Sequence, residues 1–238
     1  MDQQGNTAAI ADNLDAVRAR IAAACAAAHR TPASVGLLAV SKTFGADAIR
    51  AVAAAGQRAI GENYVQEALD KQAQLRDLPL QWHFIGPIQS NKTRDIAANF
   101  DWVHGIDRLK IAQRLSDQRP TTLPPLQVCV QVNISGEASK SGCAPQDAEA
   151  LCAAVAALPR LQLRGLMAIP EPAAPGADAQ APIRALNSLF VALQSGRDAG
   201  FDTLSAGMSD DLEAAIAQGS TLVRVGSALF GNRRKPTT

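Results

Sequence analysis

The sequence predicts an α/β chain folded as a single (β/α)8 TIM-type barrel with an extra N-terminal helix. Three observations carry this. A leading helical segment is followed by about eight strand–helix pairs. The 238 residues come close to the ~250 that such a barrel takes. No Gly-x-Gly-x-x-Gly fingerprint accompanies the pairs. A doubly wound open sheet fits the same element order and is the runner-up.

In the first helix, Ile10, Leu14, Val17, Ile21 and Cys25 recur at spacings of three and four with charges between them. Asn6 or Thr7 is the expected cap. The run Leu37-Leu38-Ala39-Val40 is the first strand, ending in Ser41-Lys42, and a helix over 46–55 stops at Gly56. Later strands are expected at Ala59–Gly61, Trp82–Ile85, Trp102–Gly105, Leu126–Asn133, Leu161–Ala168, Thr203–Ala206 and Leu222–Val225. Helical patterns lie between them at 64–76, 90–99, 107–117, 145–157, 181–198 and 210–218. Ser90, and Ser209 ahead of Asp210-Asp211, read as caps. No linker interrupts the series, so one domain is expected over 1–238, with a Pro-rich loop at 170–176 and a frayed tail at 232–238.

Composition removes several function classes. Twenty-three Lys+Arg against 22 Asp+Glu leave a net charge of +1, which argues against nucleic acid as a partner. The longest apolar run, Ala150–Leu158, is too short to span a membrane, and the polar N-terminus lacks a signal-peptide layout, so a cytoplasmic location is expected. Alanine is roughly a fifth of the chain, which suits closely packed helices. Cys25, Cys129, Cys143 and Cys152 show no C-x-x-C spacing and read as reduced, mostly packing thiols. His29, His83 and His104 are far apart in sequence and follow no metal-ligand spacing, so no metal is expected. Neither a P-loop nor a G-x-S-x-G elbow is present.

Barrel proteins place their sites at the C-terminal ends of the strands. Lys42 ends the first strand with the inward parity of Leu38 and Val40. There a partly desolvated amine can act as a nucleophile, although position alone favours a lysine snorkelling into solvent, and it is the last two strand ends that shift the balance. After strands seven and eight come Ser205-Ala206-Gly207-Met208-Ser209 and Val225-Gly226-Ser227, glycines and hydroxyls where many barrels hold a phosphate. Ser227–Gly231 suits the short extra helix of such sites. Ser209 is either a helix cap or a ligand contact, and Asp210-Asp211 would repel a phosphate placed close to it. Arg224 points inward if Val223 and Val225 pack outward, and its buried guanidinium then requires either a protein carboxylate or an acceptor on a ligand.

A lysine nucleophile, a phosphate cradle and an inward arginine describe two ligands. One is a phosphorylated sugar held by a Schiff-base aldolase. The other is pyridoxal 5'-phosphate (PLP), its aldehyde on Lys42, its phosphate at Gly207, Ser209, Gly226 and Ser227, and its pyridine nitrogen facing Arg224. A cation there disfavours protonation of the ring nitrogen and weakens the ring as an electron sink.

Eight stretches in order along the chain resemble one family. They include Val40-Ser41-Lys42-Thr43, Gly61-Glu62-Asn63-Tyr64-Val65-Gln66-Glu67, the run from Trp82 to Lys92, Asn133-Ile134 and Ser139-Lys140-Ser141-Gly142. The others are the run from Leu163 to Pro170, the run from Gly207 to Ile216, and Val223-Arg224-Val225-Gly226. The family is that of the pyridoxal phosphate homeostasis proteins (YggS/PROSC), itself similar to the barrel domain of alanine racemase. The resemblance implies PLP as cofactor, Lys42 as the Schiff-base lysine, Ser209, Gly226 and Ser227 as phosphate contacts, Arg224 as the pyridine partner, and Asn63 beside the cofactor. Two positions depart from the family pattern: Ala206, where Met is common, and Ser227, where Thr is common. Ser227 keeps the hydroxyl, while Ala206 is expected to loosen packing around the ring.

The resemblance implies intracellular PLP carriage without turnover, with apo PLP-dependent enzymes as possible recipients. A PLP-dependent racemase or lyase is the alternative. A two-base racemase needs a group on each face of the substrate, and alanine racemase takes one from a second domain for which this length leaves no room. The single tyrosine, Tyr64, begins a helix and is read as packing. Lys140, in the Gly136–Gly142 loop after strand five, is either a second PLP contact or a solvated lysine.

Overall fold

A computed structural model describes residues 3–137, 141–170, 178–197 and 199–231. Eight parallel strands close into a barrel in sequence order: β1 (Gly36–Val40), β2 (Ala59–Glu62), β3 (Gln81–Phe84), β4 (Trp102–Ile106), β5 (Leu126–Gln131), β6 (Leu161–Met167), β7 (Thr203–Ser205) and β8 (Leu222–Val225). The helices are α1 (Gln3–Ala27), α2 (Ala46–Ala54), α3 (Val65–Gln74), α4 (Thr93–Asn99), α5 (Leu109–Gln118), α6 (Ala148–Ala156), α7 (Ala181–Gln194), α8 (Leu212–Ala217) and α9 (Ser227–Phe230). β8 pairs with β1, which closes the ring and excludes the open-sheet runner-up.

The alternation along the strands decides what faces what. Ala39, Ile60, Phe84, Val103, Val130, Leu166, Leu204 and Val223 point outward into one apolar shell shared with the helices. Leu38, Val40, Ile85 and Leu222 form a separate cluster inside the barrel, and Trp102, Cys129 and Met167 form another. α1 lays Ile10, Leu14, Val17, Ile21 and Cys25, all buried, against α2, α8 and α9. Asn6 and Thr7 lie within that helix instead of capping it: the alanine-rich segment extends helix to Gln3. Ser90 opens a 3-10 turn before α4 and its carbonyl accepts the Thr93 hydroxyl.

β6 carries one irregularity. Its pairing with β5 shifts between Val128↔Leu163 and Cys129↔Gly165, the mark of a bulge. Gly165 takes a φ of +153°, and a Cβ there would stand 1.8 Å from the Thr203 carbonyl oxygen. Only glycine lets β7 approach β6 this closely. The extra residue turns Leu166 outward and Met167 inward.

Candidate functional site

At the C-terminal mouth a cavity of about 360 Å³ is lined by Lys42, Asn63, Ser209, Arg224, Gly226 and Ser227, together with apolar side chains from Val40 and Ile85. Six of the seven residues singled out from the sequence therefore meet in one cavity. Gly207 does not line it. Its φ is +92°, a Cβ would sit 2.4 Å from the Ala215 Cβ on α8, and its carbonyl accepts the Arg224 N–H at 3.0 Å. Packing of β7's end onto α8 accounts for this glycine.

Lys42 follows β1 on the inward parity. Its neighbours are held from the opposite face. The Lys71 ammonium donates to the Ser41 carbonyl at 2.8 Å, to Glu62 Oε1 at 2.6 Å and to Glu67 Oε1 at 2.6 Å, which uses all three of its hydrogens. Ser41 Oγ donates to Glu62 Oε1 at 2.5 Å, and Glu67 Oε1 also accepts the Thr43 N–H at 2.6 Å. Thr43 has a φ of +71°, uncommon for a β-branched residue, so this network fixes a tight bend around Lys42. Glu62 is fully buried, and burial raises its pKa while Lys71 and Ser41 pull the other way. Lys71 and Glu67 escaped the sequence reading; their i, i+4 spacing on α3 and the outward parity of Glu62 were the available signals.

Arg224 is 4% exposed and points into the barrel, with Val223 and Val225 outward. Its guanidinium donates to the Ser205 carbonyl at 2.7 Å, to Ser205 Oγ at 2.9 Å and to the Ala168 carbonyl at 2.9 Å. All three acceptors are uncharged, and among the described residues no carboxylate pairs with it. Burial pulls its pKa down to about 10, so it stays a cation at neutral pH. The cavity floor thus carries a positive charge that no carboxylate contacts among the described residues, Asp211 acting on it only through its charge from further off.

The remaining polar groups are at the rim. Asn63 Oδ1 is buried without a hydrogen-bond partner, which leaves an acceptor for a ligand or water. Ser209 does not cap α8, whose first residue follows Asp211. Its Oγ accepts the Ala228 N–H of α9 at 3.3 Å. Asp211 Oδ1 accepts the Met208 N–H at 2.5 Å, whereas Asp210 does line the cavity. Tyr64 is 58% exposed and outside the cavity, so it does not pack. Ala206 is buried in the shell outside the strands and does not line the cavity. Lys140 lies outside the described residues. An amine, a buried guanidinium held by neutral acceptors, and hydroxyls, with Asp210 the one lining carboxylate among the described residues, suit an anionic ligand that carries a carbonyl group.

His83 and His104, distant in sequence, come together inside the barrel with their rings hydrogen bonded at 3.0 Å. Adjacent strands β3 and β4 each turn one imidazole inward. The alternation Trp82-His83-Phe84 held that information, because Trp82 and Phe84 are outward residues.

The chain matches the family described as "Alanine racemase, N-terminal domain" over residues 8–234. The pyridoxal phosphate homeostasis protein of Pseudomonas aeruginosa is 65% identical over 224 residues, covering 94% of this chain and 96% of that one. Its counterpart in Escherichia coli K12 is 55% identical over 227 residues, covering 94% and 97%. PipY of Synechococcus elongatus PCC7942, solved with PLP bound, is 38% identical with a TM-score of 0.79 over 93% of this chain and 100% of that chain. Alanine racemase of Corynebacterium glutamicum, at 20% identity and a TM-score of 0.68, shares the fold over 97% of this chain but only 62% of its own length. Sequence and fold agree, and the chain belongs to the family of pyridoxal phosphate homeostasis proteins, built on the alanine racemase N-terminal domain.

Proposed function

We propose that this protein binds PLP in the C-terminal cavity and holds it for the cell's cofactor pool without turning over a substrate. The observation that carries this is Arg224, a buried cation facing the cavity with only neutral acceptors behind it. When bound, PLP supplies an aldehyde, a phosphate and an aromatic ring nitrogen. Lys42 is the amine that takes the aldehyde as a Schiff base. Ser209, Gly226 and Ser227 receive the phosphate, with donors from the two hydroxyls and from the backbone where α9 starts. Arg224 addresses the ring nitrogen, and Asn63 offers its unpartnered oxygen beside the ring. Gly207 serves through its backbone, its carbonyl holding the Arg224 N–H.

Carriage is favoured over racemase or lyase chemistry by the cavity's composition. Among its described lining residues the titratable side chains are Lys42, Asp210 and Arg224, and Arg224 is committed to backbone and hydroxyl acceptors. Tyr64 stands outside. The curated relatives are named for homeostasis, in keeping with this reading. Apo PLP-dependent enzymes are the recipients it implies. One experiment tests it: the visible spectrum of the purified protein and of Lys42→Ala, with amino acids added in deuterated water. The expected result is a visible PLP band, lost in Lys42→Ala, with no deuterium entering the amino-acid Cα. A colourless protein that takes up no added PLP overturns the binding reading, and exchange at Cα overturns carriage. Borohydride trapping that requires a sugar phosphate would point to the aldolase instead.

A further inference from the structure

The barrel axis holds an unbroken line of polar side chains behind Arg224. Arg224 Nη1 lies 2.9 Å from Ser205 Oγ, which lies 3.0 Å from His104 Nδ1. His104 Nε2 lies 3.0 Å from His83 Nδ1, and His83 Nε2 lies 3.1 Å from Gln81 Oε1. Ser205 and His104 are fully buried, and His83 is 2% exposed. Gln81 and His83 line a second cavity, of about 370 Å³, at the N-terminal mouth. The line therefore runs from one mouth of the barrel to the other.

One assignment of its hydrogens satisfies every group in the line. A guanidinium only donates, so Ser205 Oγ accepts from Arg224. The serine's own hydrogen has one remaining partner among its hydrogen bonds, His104 Nδ1. That nitrogen is then an acceptor, and His104 carries its proton on Nε2 and donates to His83 Nδ1. His83 in turn carries its proton on Nε2 and donates to the Gln81 carbonyl oxygen. The far end asks for the same direction as the near end. Burial keeps both rings neutral: it pulls His83 down to about 3 and His104 well below its ordinary value, with His83 and Arg224 adding to the latter shift.

Each member of the line presents its lone pair toward Arg224 and its hydrogen away from it. Aligned dipoles of that sense stabilise a buried positive charge. A carboxylate in their place would neutralise the guanidinium, whereas a neutral line leaves the full charge for the ligand. We propose that Ser205, His104, His83 and Gln81 form a directional hydrogen-bond relay that takes the place of a counter-ion for Arg224, which makes Ser205 and His104 positioning residues for the ring end of the ligand. The part concerning the ligand rests on the reading that Arg224 faces the PLP ring nitrogen. The relay itself belongs to the protein alone.

Two measurements separate the two. Long-range 1H–15N spectra of the labelled protein without ligand, between about pH 5 and 8, report the tautomers of buried histidines. The expected result is a neutral Nε2–H form for both His83 and His104, with the His104 signals displaced in Ser205→Ala. A hydrogen on Nδ1 of either ring, or a doubly protonated ring, overturns the relay whatever the ligand does. PLP titration of wild type, Ser205→Ala and His104→Gln follows. Ser205→Ala is expected to bind about tenfold more weakly and to shift the visible band, since a hydrogen bond to a charged group is lost. His104→Gln, which can still accept and donate, is expected to retain most of the wild-type affinity. Unchanged affinity and unchanged band position in Ser205→Ala overturn the positioning role. A wild type that takes up no PLP overturns the ligand reading, and the relay is then decided by the spectra of the unliganded protein.

Discussion

Replacing Lys71 with methionine keeps the side chain's length and removes its charge. Three acceptors lose their donor together: the Ser41 carbonyl, Glu62 and Glu67. Glu62 is fully buried and its Oε2 already lacks a partner. Removing one member of a buried ion pair costs about 3–5 kcal/mol, because the other charge stays behind. For a chain of 238 residues each kcal/mol is worth about 2 °C in melting temperature, so Lys71→Met is expected to melt about 6–10 °C lower. The pH dependence follows from Glu62. Burial already raises its pKa, and losing Lys71 removes the largest influence opposing that rise. A carboxyl whose folded pKa exceeds its unfolded one contributes stability that is complete below the unfolded value and is lost as pH climbs through the folded one. The deficit is therefore expected to be largest near pH 8 and smallest near pH 5, and Glu62→Gln in the same chain should restore much of it. Thermal unfolding followed by circular dichroism at both pH values measures this. A deficit under about 2 °C at pH 8, or one independent of pH, would refute the reasoning.

Gly207→Ala separates packing from ligand contact. A positive φ costs a non-glycine residue about 1–2 kcal/mol, and overlap with Ala215 adds about 1–3, so a fall of about 4–10 °C in melting temperature is expected. PLP affinity of the folded protein should stay within about threefold of wild type, and an unchanged melting temperature would remove the packing account. Gly165→Ala is expected to leave no soluble folded protein, because its Cβ would overlap the Thr203 carbonyl at 1.8 Å; normal expression with a native spectrum would count against the bulge. Burial raises the thiol pKa of Cys143 to about 11, of Cys152 to about 12, and of Cys129 further. None of these three should therefore react quickly with a thiol reagent near pH 7.5, while full reaction on unfolding should reveal all four cysteines.

Periodicity within a segment was legible in the sequence; meetings between segments were not. The parity of Leu38, Val40 and Lys42 placed the lysine inward, and that of Val223, Arg224 and Val225 placed the arginine. The Arg224 reading needs only a regular strand, whereas Lys42 lies two residues past the end of β1, where the Lys71 network fixes the bend. The His83–His104 contact needs the register of β3 against β4, and the Lys71 network needs the angle at which α3 docks; neither is a property of one segment. In the sequence Gly207 suggests close approach to a ligand, but its closest constraint is Ala215 of the helix on its other side. A position at a helix start suggests packing for Tyr64, but as the residue just before α3 it faces solvent. Ser209 lies too early to cap α8, which starts after Asp211, and its hydroxyl accepts from α9 instead.

The bulge at Gly165 gives β6 two reading frames. Before it, Arg164 lies over the Trp102 ring at the lower mouth; after it, Met167 faces the interior and the Ala168 carbonyl holds Arg224. A straight β6 would be one residue out of phase at its upper end, presenting Leu166 inward and Met167 to the helices. The anchor of the buried cation would be displaced although every cavity-lining residue remained in the sequence. The site's identity is thus written partly in a spacer, where the number of residues matters more than their side chains.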